Sequence, residues 1–131
     1  MTGPVKDRTA MIAGMAPVLH ETVWHFCTGQ GIDTRGALAV FEEAEGTSVI
    51  FSEAAASEHG YDLNQPMAQI TLSVHSALDG VGLTAAVAEA LADEGIPCNM
   101  VAAFHHDHAF VPWAMRDRAM AVLRLLSEGA G

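Results

Sequence analysis

The sequence predicts an α+β protein of two small subdomains, in which sheets that contain antiparallel strands carry helices on one face. The prediction rests first on residues 69–127, whose pattern reads strand, helix, strand, strand, helix. It rests also on the first half of the chain, where short strand-like and helix-like segments follow a looser version of the same order. We place the two subdomains at residues 1–65 and 66–131.

The clearest segment is a passage from strand to helix in the middle of the chain. Apolar and polar residues alternate over residues 70–74, which is the pattern of a half-buried strand. Leu83, Val87 and Leu91 then recur at helical spacing, and Gly95 is suited to end the helix. Between the two elements, backbone N–H groups at the helix start have no intrahelical partner. A small anionic group, such as an amino acid carboxylate, can dock there.

The remainder of the second half completes a recognisable topology. The pattern predicts a strand at 96–104, a polar interruption at 105–108, a returning strand at 109–112 and a final amphipathic helix near 115–127. Strand, helix and parallel strand form a right-handed crossover, and the hairpin return adds an antiparallel neighbour. This order is the ferredoxin-like split β-α-β arrangement.

The first half predicts two short helices and three strands. The helices are expected at 7–16 and 53–59, and the strands at 19–27, 37–43 and 48–51.

Composition excludes several classes of function. Half of the 131 residues are apolar and 17% are charged, so the chain is expected to fold. With 16 acidic and 6 basic residues the formal net charge is −10, which argues against nucleic acid and anionic membrane surfaces as partners. We find no signal-peptide pattern and no apolar run approaching the ~18 residues of a membrane span, so we expect a cytoplasmic protein. Cys27 and Cys98 fit buried reduced thiols better than a disulfide framework, although a single bridge stays open.

Six motifs carry a resemblance to a known family. They are Ile70-Thr71-Leu72-Ser73-Val74-His75-Ser76, Val81-Gly82-Leu83-Thr84-Ala85-Ala86, Gly95-Ile96-Pro97-Cys98-Asn99, His106-Asp107-His108-Ala109-Phe110-Val111-Pro112, and, in the first half, Trp24-His25-Phe26-Cys27 and Phe41-Glu42-Glu43-Ala44-Glu45-Gly46-Thr47. Together they resemble small bacterial ACT-domain proteins, in which a short ACT-like N-terminal part precedes a more typical ACT domain.

The resemblance implies a regulatory amino-acid-binding fold without catalytic activity or cofactor, similar to the ACT pairs of aspartokinases and of the eukaryotic cytosolic arginine sensor. In ACT domains generally, the ligand lies between the loop after the first strand and a strand of a neighbouring ACT unit. The positions implied for this chain are His75, Ser76, Asp79, Val81, Gly82, Leu83 and Asn99. Many such domains place Asn two residues after the helix-ending glycine, whereas here Pro97 holds that place.

The chemistry of these residues fits an amino acid. Gly82 lets the backbone approach a ligand closely, and N–H groups near Gly82 and Leu83 can bind a carboxylate with help from the helix dipole. Asp79 can bind the α-ammonium group. The alternative is that the glycines only permit a tight turn and that Asp79 is a solvated cap. We also expect His106 and Asp107 to take part in ligand recognition or dimer closure.

The polar segment His105-His106-Asp107-His108 admits a second interpretation. On a strand His106 and His108 share a face, which is a spacing used for metal ligation, and His75 or His20 could complete a zinc site. The chain has neither HExxH nor CxxC spacing, which favours the alternative that the segment is a polar hairpin tip whose side chains satisfy local backbone groups.

We therefore predict a non-enzymatic module that binds a small amino acid at subdomain or subunit interfaces, as a homodimer. Ligand would tighten the interface and change the affinity for an effector protein that the sequence does not identify. Two alternatives remain open at this point. One is a metal-dependent enzyme built on the hairpin at 105–108, and the other is a purely structural protein-interaction module.

Overall fold

A computed structural model provides the structure, and it describes residues 8–73 and 82–130. The elements, in chain order, are α1 (Arg8–Gly14), β1 (Pro17–Leu19), β2 (Trp24–Gly29), β3 (Ala39–Glu43), β4 (Gly46–Ser52), α2 (Glu53–Glu58), β5 (Met67–Leu72), α3 (Leu83–Asp93), β6 (Asn99–Ala102), β7 (Asp107–Pro112) and α4 (Arg116–Ala130). A short 3-10 turn, Trp113–Met115, leads into α4.

One predicted strand is wrong. Residues 19–27 are not a single strand, because the chain there pairs with two different partners. β1 pairs antiparallel with β5, whereas β2 pairs antiparallel with β4 over its whole length. The chain must leave one ladder before it enters the other, so residues 20–23 connect two strands.

β6 is also shorter than the predicted strand at 96–104. Gly95 has φ +71°, and the N–H of Ile96 returns to the carbonyl of Leu91 at 2.9 Å, so the end of α3 takes these residues out of the strand. Pro97 follows and has no N–H to give to a ladder.

The described residues divide by contact into two compact units. Unit 1 comprises Met1–His20 and Ala68–Gly131, and unit 2 comprises Glu21–Met67. The elements α1 and β1 thus pack with the C-terminal half, so contact does not divide the described residues at a single point in the sequence. The division of the chain into subdomains at 1–65 and 66–131 stays a prediction.

Unit 1 has a four-stranded sheet in the order β1-β5-β7-β6. Its order is that of a ferredoxin-like sheet, but the outer strand β1 comes from the beginning of the chain rather than from its end. The helices α1, α3 and α4 pack on one another and form its helical layer. The buried core contains Met11, Ile12, Met15, Ala68, Ile70, Leu72, Leu83, Ala86, Val87, Leu91, Ile96, Ala109, Val111, Ala119, Met120 and Leu123.

The alternation predicted around residue 70 is confirmed. Ile70 and Leu72 are fully buried in this core, while Thr71 between them lies on the opposite face of β5 and is partly exposed. The sheet of unit 1 therefore has an apolar face under the helices and a second face with polar side chains.

Unit 2 is a three-stranded antiparallel sheet, in the order β3-β4-β2, with α2 against it. Ser52 caps α2, because its hydroxyl accepts a hydrogen bond from the N–H of Ala55 at 3.2 Å. The buried core is small and consists of Cys27, Val49, Phe51 and Ala56.

Both cysteines are free thiols. Cys27 is buried in unit 2, and Cys98 is partly buried in unit 1. Burial raises the pKa of the Cys27 thiol, and it raises the pKa of Cys98 to about 11. Neither thiol is activated as a nucleophile by its surroundings.

Candidate ligand-binding site

The passage from β5 to α3 is the centre of the predicted site, and the structure describes its helical side. Gly82 occupies the N-cap position of α3 with φ 105° and ψ −16°, a conformation that favours glycine. It makes no side-chain cap, and its carbonyl accepts the N–H of Ala86 at 2.9 Å, which opens the helical ladder. The N–H groups of the first turn therefore receive no side-chain cap from this residue.

The side chain of Leu83 does not face the predicted ligand site. Its side chain is 3% exposed and belongs to the core of unit 1. Its backbone N–H belongs to the first turn of α3. The side chain instead fixes the start of α3 by packing.

Four predicted site residues lie outside the described residues. They are His75, Ser76, Asp79 and Val81. Their roles stay predictions.

The hairpin of β6 and β7 separates the other predicted residues. Asn99 begins β6 opposite Phe110, whereas Asp107 begins β7 opposite Ala102. Three ladder positions, about 10 Å, lie between the two pairs. His106 belongs to the Asp107 end, where its carbonyl accepts a hydrogen bond across the turn. The structure thus brings His106 and Asp107 together and leaves Asn99 at the far end of the hairpin.

A polar network that the sequence did not point to as a unit lies on the second face of the unit 1 sheet. His20 Nε2 lies 2.6 Å from the Thr71 hydroxyl oxygen. His108 Nδ1 lies 3.0 Å from the same oxygen and 3.1 Å from Gln69 Nε2. We call His20, Gln69, Thr71 and His108 the latch cluster. The polar positions of β5 are the available signal, but their partners, His20 just after β1 and His108 on β7, are distant in sequence.

Burial and neighbouring imidazoles set the charge of this region. Desolvation lowers the pKa of His108, and the nearby His20 and His106 lower it further. Desolvation raises the pKa of the Asp107 carboxyl, against the opposing effect of His108 and His106. Both groups are therefore biased toward their neutral forms.

The metal interpretation finds no support in the described part of the chain. No group of three His, Cys, Asp or Glu side chains there is arranged to hold a metal ion. His108 Nδ1 is directed instead at Gln69 and Thr71.

Unit 2 offers an apolar surface on the sheet face away from α2. Phe26 and Phe41 are 49% and 52% exposed, with the buried Ile50 on the same face. A depression of about 250 Å³ lies among these side chains. We call Phe26, Phe41 and Ile50 the open face of unit 2. A second groove of about 420 Å³, in unit 1, is lined by Pro17, Val18, Leu19, Asp117, Met120 and Arg124.

Comparisons with known proteins identify the family. Residues 66–124 match one family model of the ACT domain, and residues 4–68 match another. The chain belongs to the ACT-domain family. None of the curated proteins matches it significantly. Within the described residues, no helix of this ACT protein is long and apolar enough to span a membrane.

Solved structures agree with this assignment. VC0802 of Vibrio cholerae, a protein of unknown function described as a possible transport protein, is 32% identical, with a TM-score of 0.81 over 91% of this chain and 94% of its own. Atu0741 of Agrobacterium tumefaciens is 15% identical, with a TM-score of 0.64 over 81% of this chain and 84% of its own. The ligand-free regulatory subunit of aspartate kinase from Thermus thermophilus is 9% identical, with a TM-score of 0.65 over 86% of this chain and 97% of its own. The last two likenesses show the ACT fold and no more.

Proposed function

We propose that this ACT protein is a non-enzymatic regulator that binds a small amino acid at the passage from β5 to α3. One observation carries the proposal: in a chain of the ACT family, α3 begins at a left-handed Gly82 that has no side chain to cap the first turn. First-turn N–H groups and the helix dipole favour a carboxylate at this position. Asp79 supplies the charge for the α-ammonium group.

A second subunit completes the site. Gly82 and the backbone of Leu83 provide donors for one end of the ligand only. The Asp107 end of the β6-β7 hairpin supports the same location, because His108 next to it contacts Thr71, which is close to the end of β5. His106 and Asp107 then contribute polar groups to the ligand side chain or to the subunit contact.

The regulatory output is a population shift. Ligand that binds where two subunits meet stabilises their association, and this changes the affinity for an effector protein. We place a second contact of the homodimer, in addition to the one that the ligand completes, at the open face of unit 2, where two half-exposed phenylalanine side chains surround a shallow depression.

A ligand screen tests the proposal. Thermal unfolding is measured with each of the twenty amino acids, and any ligand that raises the Tm is taken to titration calorimetry. A ligand at 100 times its Kd stabilises the folded protein by about 2.7 kcal/mol. We expect a positive shift with a small subset of the amino acids.

A matched pair of variants locates the binding. Asp79→Ala removes the proposed ammonium partner, and Asp93→Ala makes the same charge change in the last turn of α3, where the side chain is exposed. We expect Asp79→Ala to weaken binding at least about tenfold, or 1.4 kcal/mol, and Asp93→Ala to leave it unchanged. If no amino acid raises the Tm, or if both variants bind as the wild type does, the proposed ligand site is wrong.

A further inference from the structure

The latch cluster joins three strands of unit 1 through side chains. His20 directly follows β1, Gln69 and Thr71 lie on β5, and His108 lies on β7. Backbone bonding reinforces the same place, because the N–H of His20 donates to the carbonyl of Gln69 at 3.0 Å. The cluster therefore holds the outer strand β1, which has three residues, against the centre of the sheet.

The geometry determines which atoms carry protons. Gln69 Nε2 can only donate, so His108 Nδ1, 3.1 Å away, must accept and is unprotonated. The Thr71 hydroxyl has a single proton and lies within reach of both imidazoles. It donates to His108 Nδ1, and His20 Nε2–H then donates to its oxygen. The Gln69 amide and the Thr71 hydroxyl thus share the one lone pair of His108 Nδ1, and that lone pair is available only while His108 is neutral.

Gln69 makes this arrangement hard to change. Its side chain is buried, with 6% of the residue exposed. A proton on His108 Nδ1 would place two donors 3.1 Å apart, so the Gln69 amide would have to turn over within its buried site to present Oε1 as the acceptor. It would also reverse the bond to Thr71: the hydroxyl oxygen would accept from both imidazoles, and the hydroxyl proton would lose its acceptor.

We propose that His20, Gln69, Thr71 and His108 form a pH-sensitive latch, which holds β1 on β5 while His108 is neutral and loosens when His108 takes up a proton. The charged and titratable groups that act on His108 are His20 from the β1 side and His106 and Asp107 from its own hairpin; β5 presents only the neutral Gln69 and Thr71. The inference does not depend on ligand binding.

The sign of the pH dependence follows from linkage. Burial lowers the pKa of His108 below its ordinary value of 6.5, so the unfolded chain binds this proton first. The stabilising contribution is complete above pH 6.5 and is lost as the pH falls through the folded pKa. Asp107 acts in the opposite direction, because its raised pKa lets the folded chain bind a proton first.

The test combines imidazole NMR with hydrogen exchange on the full chain. We expect His108 to titrate with a midpoint below 6.5. We also expect amides at 18–20 and 69–72 to exchange faster at pH 5.5 than at pH 7.5, after correction for intrinsic rates, with no such change in α4. A midpoint at or above 6.5, or unchanged exchange at β1 and β5, would overturn the latch.

Gln69→Glu sharpens the test. A carboxylate in place of the donor amide favours protonated His108, so its midpoint should rise by about one pH unit or more, and acid should no longer loosen β1. Gln65→Glu adds the same charge at an exposed position and should leave the midpoint of His108 unchanged. If Gln69→Glu folds without moving that midpoint, the proposed contact is wrong; if it does not fold, the wild-type titration and exchange decide.

Discussion

Unit 1 and unit 2 each pack one or more helices against a sheet, but their buried cores differ greatly in size. Among the described residues, sixteen side chains form the buried cluster of unit 1, whereas four form that of unit 2. Their second sheet faces differ as well. Unit 1 satisfies its own polar groups there through the latch cluster, while unit 2 exposes the aromatic rings of its open face. Unit 1 therefore buries more apolar surface in its core than unit 2 does, and unit 2 carries the more apolar second face.

The largest effect should follow removal of Phe51 from the small core. Phe51 is fully buried, stacks on the ring of His59 with centroids 4.8 Å apart and contacts Tyr61 at 6.2 Å. Phe51→Ala should cost about 3–5 kcal/mol. Because few other buried residues remain, unit 2 should lose its amide protection while unit 1 retains it.

Hydrogen exchange with mass spectrometry measures this difference. Leu91→Ala is the matched control, because Leu91 is fully buried in unit 1. It should lower the free energy of unfolding by about 2–5 kcal/mol without selective loss of amide protection in unit 2. Equal loss of protection in both units of Phe51→Ala would contradict the contrast between the cores.

A smaller effect concerns the open face. Phe41→Ser should weaken self-association at least about tenfold, or 1.4 kcal/mol, with little change in the stability of the monomer, because the ring is half exposed. Val40→Ser is the control, since Val40 is also exposed but points to the other face of β3. Sedimentation velocity over a range of concentrations gives the Kd. A wild-type protein that stays monomeric, or equal weakening by the two variants, would remove the open face as the dimer contact.

The smallest effect concerns an ion pair on the surface of unit 2. The Arg35 side chain donates to both carboxylate oxygens of Asp33, at 2.7 and 3.0 Å, and this bonding lowers the pKa of Asp33 to about 2. The pair's stabilisation is present above pH 4 and is lost as the pH falls through 2. Both groups are solvent-exposed, so salt should weaken it further. In Arg35→Gln, carboxyl NMR should show that the titration midpoint of Asp33 rises toward its ordinary value of 3.8. An unchanged midpoint would show that Arg35 does not stabilise the Asp33 carboxylate.

The sequence was sufficient for most of the elements because their patterns are local. The alternation around Ile70 and the helical spacing of Leu83 and Leu91 each follow from one buried face. The error at residues 19–27 has the opposite origin. β1 and β2 have strand-like composition throughout, and only their distant partners, β5 and β4, reveal that they are separate strands.

The candidate site was less predictable for the same reason. Glycine at 82 is a local signal, since a left-handed N-cap favours it, and the structure has that conformation there. The grouping of His20 with His108 depends on two strand pairings between segments more than 35 residues apart in sequence, which no local spacing encodes. Asn99 was placed by family position alone, and the hairpin register puts it away from Asp107.

The most direct measurement of the central claim is an amide NMR titration with the amino acid that gives the largest Tm increase. We expect the largest shifts at the N–H groups of Gly82, Leu83 and Thr84, followed by those of His106 and Asp107. The groove lined by Val18 and Arg124 in unit 1 should not respond. Shifts confined to that groove or to the open face of unit 2, with the start of α3 unchanged, would contradict an amino acid site between β5 and α3.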